Sequence, residues 1–379
     1  MTNTSQSRRD KAYMRAAIAI ARRGLGCTAP NPSVGAVLVD PNTEEIISRG
    51  WTQPGGRPHA EPDAIDRAGR AVDGASLYVT LEPCSHFGRS PPCVDAIIAA
   101  GIKRVVCGLE DPDPRVAGRG IHRLRKAGIA VEVGVLRKEC HHLTLGHILR
   151  VTERRPFVQL KMALDAEGRV ARGDEGQPTW VTSVDARNRG HLLRAQADAI
   201  VIGRQTLVDD NASLTCRLPG LEHQSPVRVI LASKARPEEI GQGGLMSSDV
   251  PVWWVVGRDD NNSSVSVRAQ DRVTEVTSVE NRPWLPAVME LLVQNGVTRL
   301  LVEGGPTIWR AFDRANLVDE VIMFRARRSS KPELPPFEPG QALASYVHQT
   351  PMGLVTSYPV AEDHCYVFRR GTIPSWWTA

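Results

Sequence analysis

The chain has 379 residues, of which 41% are hydrophobic and 23% are charged, with 32 glycines and 27 prolines. These ordinary globular values exclude collagen-like, mucin-like and wholly disordered proteins, and the length predicts about two or three domains. The net charge of +5 favours a phosphorylated small molecule as partner over a nucleic acid, because nucleic-acid binding needs clustered basic residues.

The N-terminal segment has no signal-peptide core, because Arg15, Arg22 and Arg23 interrupt its apolar stretch. No run approaches the roughly 18 apolar residues of a membrane span. We therefore expect a cytoplasmic protein with no membrane partner. The seven cysteines are odd in number and unevenly spaced, which argues against a disulfide framework and favours a metal-binding role for any functional pair.

Helical and extended patterns alternate along the N-terminal part of the chain. The predicted helices cover residues 10–23, 59–69, 92–100 and 119–127. The predicted strands cover residues 34–39, 77–80, 104–107 and 129–133. This alternation is typical of an α/β sandwich. A polar, basic stretch follows, from Glu139 to Arg155, and we place the boundary there, which gives domains 1–150 and 151–379.

A second α/β series fills the C-terminal part. Its predicted strands cover residues 157–164, 199–203, 227–231, 252–256 and 299–302. Its predicted helices cover residues 184–196, 285–295 and 307–315. The sequence lacks a G-x-G-x-x-G motif, so a doubly wound dinucleotide-binding fold is not indicated.

The most specific pattern combines His59, Glu61, Cys84 and Cys93. One imidazole and two thiolates are a catalytic zinc set, because the fourth tetrahedral position stays open for water. H-x-E followed by P-C and a second cysteine is typical of base deaminases, in which the glutamate carries protons and does not bind the metal. The sequence therefore predicts zinc-dependent hydrolysis of an amine on a ring. The plain alternative is a surface histidine with two core cysteines.

A second pattern, Glu303-Gly304-Gly305, follows a predicted strand and precedes a predicted helix. Two glycines at such a turn let backbone amides approach a phosphate group. Packing or turn geometry explains most glycine pairs equally well, so the pattern alone does not decide between the two.

Three segments resemble the bifunctional riboflavin-biosynthesis deaminase–reductase family: A-P-N-P-S-V-G-A at 29–36, H-A-E at 59–61 and P-C-S-H-F-G-R-S-P-P-C at 83–93. The long segment between the cysteines is particular to that family among cytidine-deaminase-like proteins. The resemblance implies an N-terminal cytidine-deaminase-like α/β/α sandwich and a C-terminal dihydrofolate-reductase-like α/β domain. It also implies Zn²⁺ and NADPH as cofactors, a phosphorylated pyrimidine as substrate, and a homo-oligomer, a dimer or larger.

The resemblance assigns roles to individual residues. The zinc ligands fall on His59, Cys84 and Cys93, and the catalytic acid/base falls on Glu61. Substrate contacts in the first domain fall on Asn31, His86 and Arg89. Substrate contacts in the second domain fall on Lys161, Arg194, Leu214, Arg217 and Glu303. Cofactor contacts fall on Ala163, Trp180, Thr206, Asp210, Gly304 and Gly305. The arginines Arg89, Arg194 and Arg217 are suitable partners for a sugar phosphate.

Four positions of the second domain depart from the family's pattern. Asp165 replaces a serine, Glu167 an aspartate, Pro178 a serine and Ala212 a proline. Two alternatives to a bifunctional enzyme therefore stay open. The first is a deaminase with a decayed reductase-like second domain. The second is a zinc-stabilised binding protein, against which Glu61 argues because a purely structural zinc site has no use for that carboxylate.

Overall fold

The computed structural model describes residues 2–88, 90–170, 180–233, 243–257, 269–279, 282–327 and 338–371. The chain divides into two compact units, Met1–Pro156 and Phe157–Ala379. Each unit has its own sheet, so both are mixed α/β structures, and the predicted fold class is confirmed.

The first unit contains five α-helices and five strands among the described residues. The helices are α1 Thr2–Ala21, α2 Ala60–Arg67, α3 Cys93–Ala99, α4 Arg119–Lys126 and α5 Arg137–Thr152. The strands are β1 Gly35–Val39, β2 Ile46–Trp51, β3 Ser76–Val79, β4 Arg104–Cys107 and β5 Ala130–Val133. The sheet order is β2-β1-β3-β4-β5, with β1 antiparallel to both neighbours and β3, β4 and β5 parallel.

Two glycines let helices lie directly against this sheet. A Cβ atom on Gly35 of β1 would lie 2.0 Å from the Ala17 carbonyl oxygen of α1. A Cβ atom on Gly50 of β2 would lie 2.3 Å from the Ala64 nitrogen of α2. Side chains at these positions would push both helices outward, and α2 carries part of the candidate metal site at its start.

The second unit contains five α-helices and eleven strands among the described residues. The helices are α6 Val184–Ala195, α7 Arg204–Asp210, α8 Leu285–Gln294, α9 Pro306–Arg314 and α10 Pro339–Ala344. The strands are β6 Phe157–Leu164, β7 Ala199–Gly203, β8 Val227–Ala232, β9 Val252–Gly257, β10 Arg272–Val276, β11 Ser278–Val279, β12 Arg282–Pro283, β13 Arg299–Val302, β14 Glu320–Ala326, β15 Met352–Val360 and β16 Asp363–Arg370.

Nine of these strands form one sheet in the order β10-β9-β8-β7-β13-β6-β14-β16-β15. The strands from β10 to β14 are parallel, whereas β16 is antiparallel to β14 and β15. Parallel sheets place ligand sites beyond the carboxyl ends of their strands. That edge is where β7 and β13 continue into the Gly203 and Glu303 turns. Across the described part of the chain, no helix is both long and apolar enough to span a bilayer.

Candidate active sites

The side chains of His59, Cys84 and Cys93 converge in the first unit. The His59 Nδ1 atom lies 3.3 Å from the Cys93 Sγ atom and 3.7 Å from the Cys84 Sγ atom. Tetrahedral zinc with Zn–N near 2.0 Å and Zn–S near 2.3 Å separates such donors by about 3.5 Å. Both distances from His59 therefore match a zinc coordination shell, all three donor atoms lie within 4.8 Å of one another, and the donor set fits zinc.

Each ligand is placed by the end of a secondary-structure element. His59 is the N-cap residue of α2, Cys84 follows β3, and Cys93 is the first residue of α3. The Cys93 backbone N–H donates to the Cys84 Sγ atom at 3.3 Å. Hydrogen bonds from Cys93 and His59 lower the pKa of the Cys84 thiol, which favours the thiolate that metal binding requires.

Glu61 lies in the first turn of α2 and is 3% exposed. Burial, together with the nearby Cys84, raises the pKa of its carboxyl group to about 7. A carboxyl group with a pKa near neutrality is able both to accept and to release a proton at physiological pH. Pro62 follows it without interrupting the helix, because the first turn does not need its missing N–H.

Glu82 supports the cysteine segment, and the sequence patterns did not single it out. Its buried carboxylate accepts four backbone N–H donors, from Asp111, Gly118, Gly120 and Ile121, at 2.8–3.2 Å. These bonds fix the loop before α4 and the start of α4 to the residue two positions before Cys84. A glutamate directly before a Pro-Cys pair is the only sequence signal that it offers.

We expect Glu82→Gln to lower the free energy of unfolding of the first unit by about 1–3 kcal/mol, because an amide accepts these N–H donors through only one oxygen. Chemical denaturation followed by circular dichroism measures the change. The exposed neighbour Glu110 provides the matched control Glu110→Gln, for which we expect no change beyond about 0.5 kcal/mol. Equal effects of the two substitutions would contradict a supporting role for Glu82.

The predicted substrate contacts of the first unit are only partly described. The half-buried Asn31 donates through Nδ2 to the Gly56 carbonyl oxygen at 2.8 Å, three residues before His59. His86 is exposed in the segment between the two cysteines. Arg89 lies outside the described residues. Arg57 is a further cation beside this segment, and its Nη1 atom donates to Ser90 Oγ.

The second unit contains an open cleft of about 2460 Å³ at the carboxyl edge of its parallel strands. All eleven predicted residues of this unit line it: Lys161, Ala163, Trp180, Arg194, Thr206, Asp210, Leu214, Arg217, Glu303, Gly304 and Gly305. The structure thus brings together residues that are spread over more than 140 positions of the sequence. Their individual roles stay predictions.

A charged cluster lies in this cleft. Arg194 binds both carboxylate oxygens of Glu303, at 2.9 and 3.0 Å, and also donates to the Thr215 carbonyl oxygen at 3.0 Å. The Lys161 Nζ atom lies 4.0 Å from the same carboxylate. Burial opposes ionisation of Glu303, but Arg194 and Lys161 outweigh it and lower its pKa to about 2. Arg194 therefore has its charge balanced within the protein, which leaves Arg217 as the more suitable phosphate partner.

The two glycines of the turn between β13 and α9, Gly304 and Gly305, have different surroundings. Gly304 has φ +113°, and a Cβ atom there would lie 2.9 Å from the Thr206 Oγ1 atom. At Gly305, at the start of α9, no atom beyond its chain neighbours lies within 4 Å of the Cβ position, so the space on that side of the residue is open. The packing explanation therefore applies to Gly304, whereas the open space beside Gly305 leaves room for a phosphate group to approach the start of α9.

Two of the four residues that depart from the family's pattern form local contacts in the turn after β6. Asp165 accepts the backbone N–H groups of Glu167 and Arg169 at 2.9 and 2.8 Å and so closes the turn after β6. Glu167 pairs with Arg169 at 3.0 Å. Ala212 lines the cleft, and Pro178 lies outside the described residues. These acidic residues stabilise a turn, and the described part of the cleft keeps its charged cluster.

Comparisons with known proteins agree with both sites. The profile for the cytidine and deoxycytidylate deaminase zinc-binding region matches residues 7–109, and that for the RibD C-terminal domain matches residues 156–326. The riboflavin biosynthesis protein RibD of Escherichia coli is 38% identical over 331 residues, which cover 84% of this chain and 87% of that protein. The chain belongs to the RibD family.

Other members support the same assignment. RibD of Bacillus amyloliquefaciens is 40% identical over 319 residues, covering 83% of each chain. The crystal structure of a deaminase/reductase from Thermotoga maritima has a TM-score of 0.79 at 31% identity, covering 96% of this chain and 99% of that one. RibD of Acinetobacter baumannii, form 1, has a TM-score of 0.78 at 30% identity, covering 97% of this chain and 100% of that one. The chain is thus a bifunctional deaminase and reductase of riboflavin biosynthesis.

Proposed function

We propose that the first unit deaminates a diaminohydroxyphosphoribosylaminopyrimidine and that the second unit reduces 5-amino-6-(5-phosphoribosylamino)uracil, the two substrates in the name of the Thermotoga maritima relative. The observation that carries the proposal is the placement of three zinc-compatible donor atoms beside the buried Glu61. All eleven predicted reductase residues in one cleft support the second step.

In the deaminase unit, His59, Cys84 and Cys93 would hold zinc. Zinc supplies a water of lowered pKa, available as a nucleophile near neutral pH. As water adds to the ring carbon, Glu61 would take one of its protons and deliver it to the ring nitrogen. Glu61 would then pass the second proton of that water to the amine, which leaves as ammonia when the C–N bond breaks and the carbonyl forms. Because Glu61 is buried, bulk water does not exchange protons with its carboxyl group between these two transfers.

In the reductase unit, NADPH would supply a hydride to C1′ of the opened ribose, which gives a ribitylamino product. The turn at Gly305 presents its backbone to the cofactor's phosphates, and the exposed Trp180 offers a ring face. Lys161 and Glu303 line the cleft, where they orient the sugar, and the exposed Arg217 binds its phosphate.

Two separate assays test the proposal. Zinc-loaded protein given the diamino substrate is expected to release ammonia, and the same protein given the deaminated substrate is expected to oxidise NADPH. Ammonia release without NADPH oxidation would favour a decayed reductase unit. Zinc binding with neither reaction would favour a binding protein.

We further propose a cytoplasmic location, which agrees with seven cysteines that are all free. A homo-oligomer, a dimer or larger, is supported by the edge strand β15, on which Leu354 and Val355 are about half exposed. We propose no nucleic-acid or membrane partner. Light scattering of the purified protein measures the number of subunits.

A further inference from the structure

The segment Asn211–Arg217, here called the rim loop, forms one wall of the reductase cleft. Two of its residues have left-handed backbones, Asn211 with φ +44° and Leu214 with φ +57°. Asparagine tolerates this conformation, but leucine is strained there because its Cβ atom crowds the neighbouring carbonyl oxygen. Such strain persists only where the surroundings enforce it, and it concentrates at functional sites.

Arg228 of β8 stabilises the conformation of the rim loop through hydrogen bonds from the protein interior. Its side chain is fully buried, and its guanidinium donates to the carbonyl oxygen of Ser213 at 3.2 Å. The same guanidinium donates to the carbonyl oxygens of Leu245, at 2.7 Å, and of Val250. Arg228 therefore ties the rim loop to the segment that precedes β9.

These contacts decide which way one peptide group faces. The Ser213 carbonyl points inward to Arg228, and the side chain of Leu214, a residue that is 2% exposed as a whole, packs in the core with Ile230 and Trp254. In a trans peptide the N–H points opposite to the carbonyl, so the Leu214 N–H points away from Arg228. Within the described ranges this N–H has no hydrogen-bond acceptor. What Leu214 offers a ligand is therefore its backbone N–H.

Arg217 provides a positive charge on the same rim loop. The Nη1 atom of the exposed Arg217 donates to Ser213 Oγ at 2.8 Å, and the Arg217 backbone N–H donates to His191 Nδ1 at 3.4 Å. Among the residues that the structure describes, no carboxylate forms an ion pair with Arg217, whereas Arg194 is paired with Glu303. An unsatisfied N–H and an unpaired guanidinium on one loop are the groups that bind a phosphate.

We propose that Arg228 is a positioning residue of the reductase: by holding the Ser213 carbonyl inward, it turns the Leu214 N–H toward the cleft, where that N–H and Arg217 bind the phosphate group of the substrate. The inference rests on the proposed function, because it takes the phosphorylated sugar as the ligand of this cleft. The pyrophosphate of NADPH is the other source of phosphate oxygens, and the test distinguishes the two.

The test compares Arg228→Lys with Arg299→Lys. Lysine keeps the positive charge but lacks the planar guanidinium group, which donates hydrogen bonds to several carbonyl oxygens at once. Arg299 on β13 is the control, because its guanidinium also lies inside the second unit, over the Phe157 ring, in a half-buried residue that does not line the cleft. We expect Arg228→Lys to raise the reductase KM for the phosphorylated substrate about 10- to 100-fold with a much smaller change in kcat, and Arg299→Lys to leave the KM unchanged.

Two further substrates separate the possibilities. A substrate without the phosphate is expected to react equally well with the wild type and Arg228→Lys, and the KM for NADPH is expected to stay the same. An equal loss with and without the phosphate would contradict the proposal, as would a rise confined to the KM for NADPH. Failure of the proposed function looks different, because the wild type itself would then not oxidise NADPH.

A spectroscopic measurement keeps the proposal testable if Arg228→Lys does not fold. In the wild-type full chain labelled with ¹⁵N, inorganic phosphate is expected to shift the backbone amide resonance of Leu214, with saturation as phosphate is added. The unchanged deaminase activity of the same sample reports that the chain is folded. A Leu214 resonance that does not respond to phosphate would overturn the proposal.

Discussion

Glu61→Gln is expected to lower the rate of deamination by about 10²–10⁴-fold while the protein keeps its zinc. Glutamine has nearly the same size as glutamate and fits the same buried position, but its amide cannot carry a proton between water and the ring. The metal stays because its donors are His59, Cys84 and Cys93, whose atoms lie within 4.8 Å of one another.

The measurement pairs ammonia release with metal analysis of the same sample. Reductase activity on the deaminated substrate provides an internal control, because Glu61 lies in the first unit and the cleft in the second. Unchanged deamination would remove Glu61 from the mechanism. Loss of zinc from Glu61→Gln would show that the carboxylate supports metal binding instead of proton transfer.

Glu303→Gln is expected to have the largest effect on the second unit. It leaves the half-buried Arg194 without its carboxylate, and breaking a buried ion pair costs up to about 3–5 kcal/mol of the free energy of unfolding. In the protein that remains folded, reductase activity is expected to fall about 100-fold, because Lys161 and Arg194 both lose the group that orients them. The exposed Glu290 of α8 provides the control Glu290→Gln, for which stability and activity stay unchanged.

A double substitution separates stability from activity. Arg194→Met together with Glu303→Met removes both charges, so it is expected to recover much of the stability that Glu303→Gln loses, without recovering reductase activity. Thermal unfolding and NADPH oxidation measure the two effects. If Glu303→Gln alone left both quantities unchanged, the pair would have neither a structural nor a catalytic role.

The same pair predicts a pH dependence of stability. The pKa of Glu303 is lowered in the folded protein from 4.5 to about 2. Its contribution is therefore fully present above pH 4.5 and is lost as the pH falls toward 2, because protons then bind the unfolded chain more readily. Denaturation across this range is expected to show a smaller pH slope for Glu303→Gln than for the wild type.

Local sequence patterns predicted many of the strands and helices correctly. The predicted strands 104–107, 157–164, 199–203 and 299–302 match β4, β6, β7 and β13. The strand β2 was missed because only two of its six residues are buried and no alternation marks it. The C-terminal strands β14, β15 and β16 were also missed, although β14 is almost wholly buried.

One predicted helix boundary needs correction. The first helix, predicted to begin at residue 10, begins at Thr2, since its polar first turns carry no apolar signal. The polar stretch 139–155 lies largely in the helix α5, whose buried residues Cys140, Leu143 and His147 recur every three or four positions. An interdomain helix with Cys140 in its core was the interpretation of the Cys140-His141-His142 cluster, and the helix α5 agrees with it. The domain boundary placed on this stretch stays a prediction.

The sequence also predicted some residues of the candidate sites and missed others. The zinc ligands and Glu61 were found because each lies in a short motif with a chemical reason for its spacing. Glu82 and Arg228 were missed, because each acts on backbone groups that are distant in the sequence and leave no side-chain pattern. Likewise, the pairing of Arg194 with Glu303 across 109 positions is visible only in the fold.

The most direct measurement follows ammonia and NADPH in one reaction that starts from the diamino substrate. If one chain performs both steps, zinc-loaded protein with excess NADPH is expected to release one ammonia for each NADPH oxidised once the intermediate has reached a steady level. Glu61→Gln is expected to abolish both signals, and adding the deaminated substrate is expected to restore NADPH oxidation alone. Ammonia release that never leads to NADPH oxidation would contradict the bifunctional assignment.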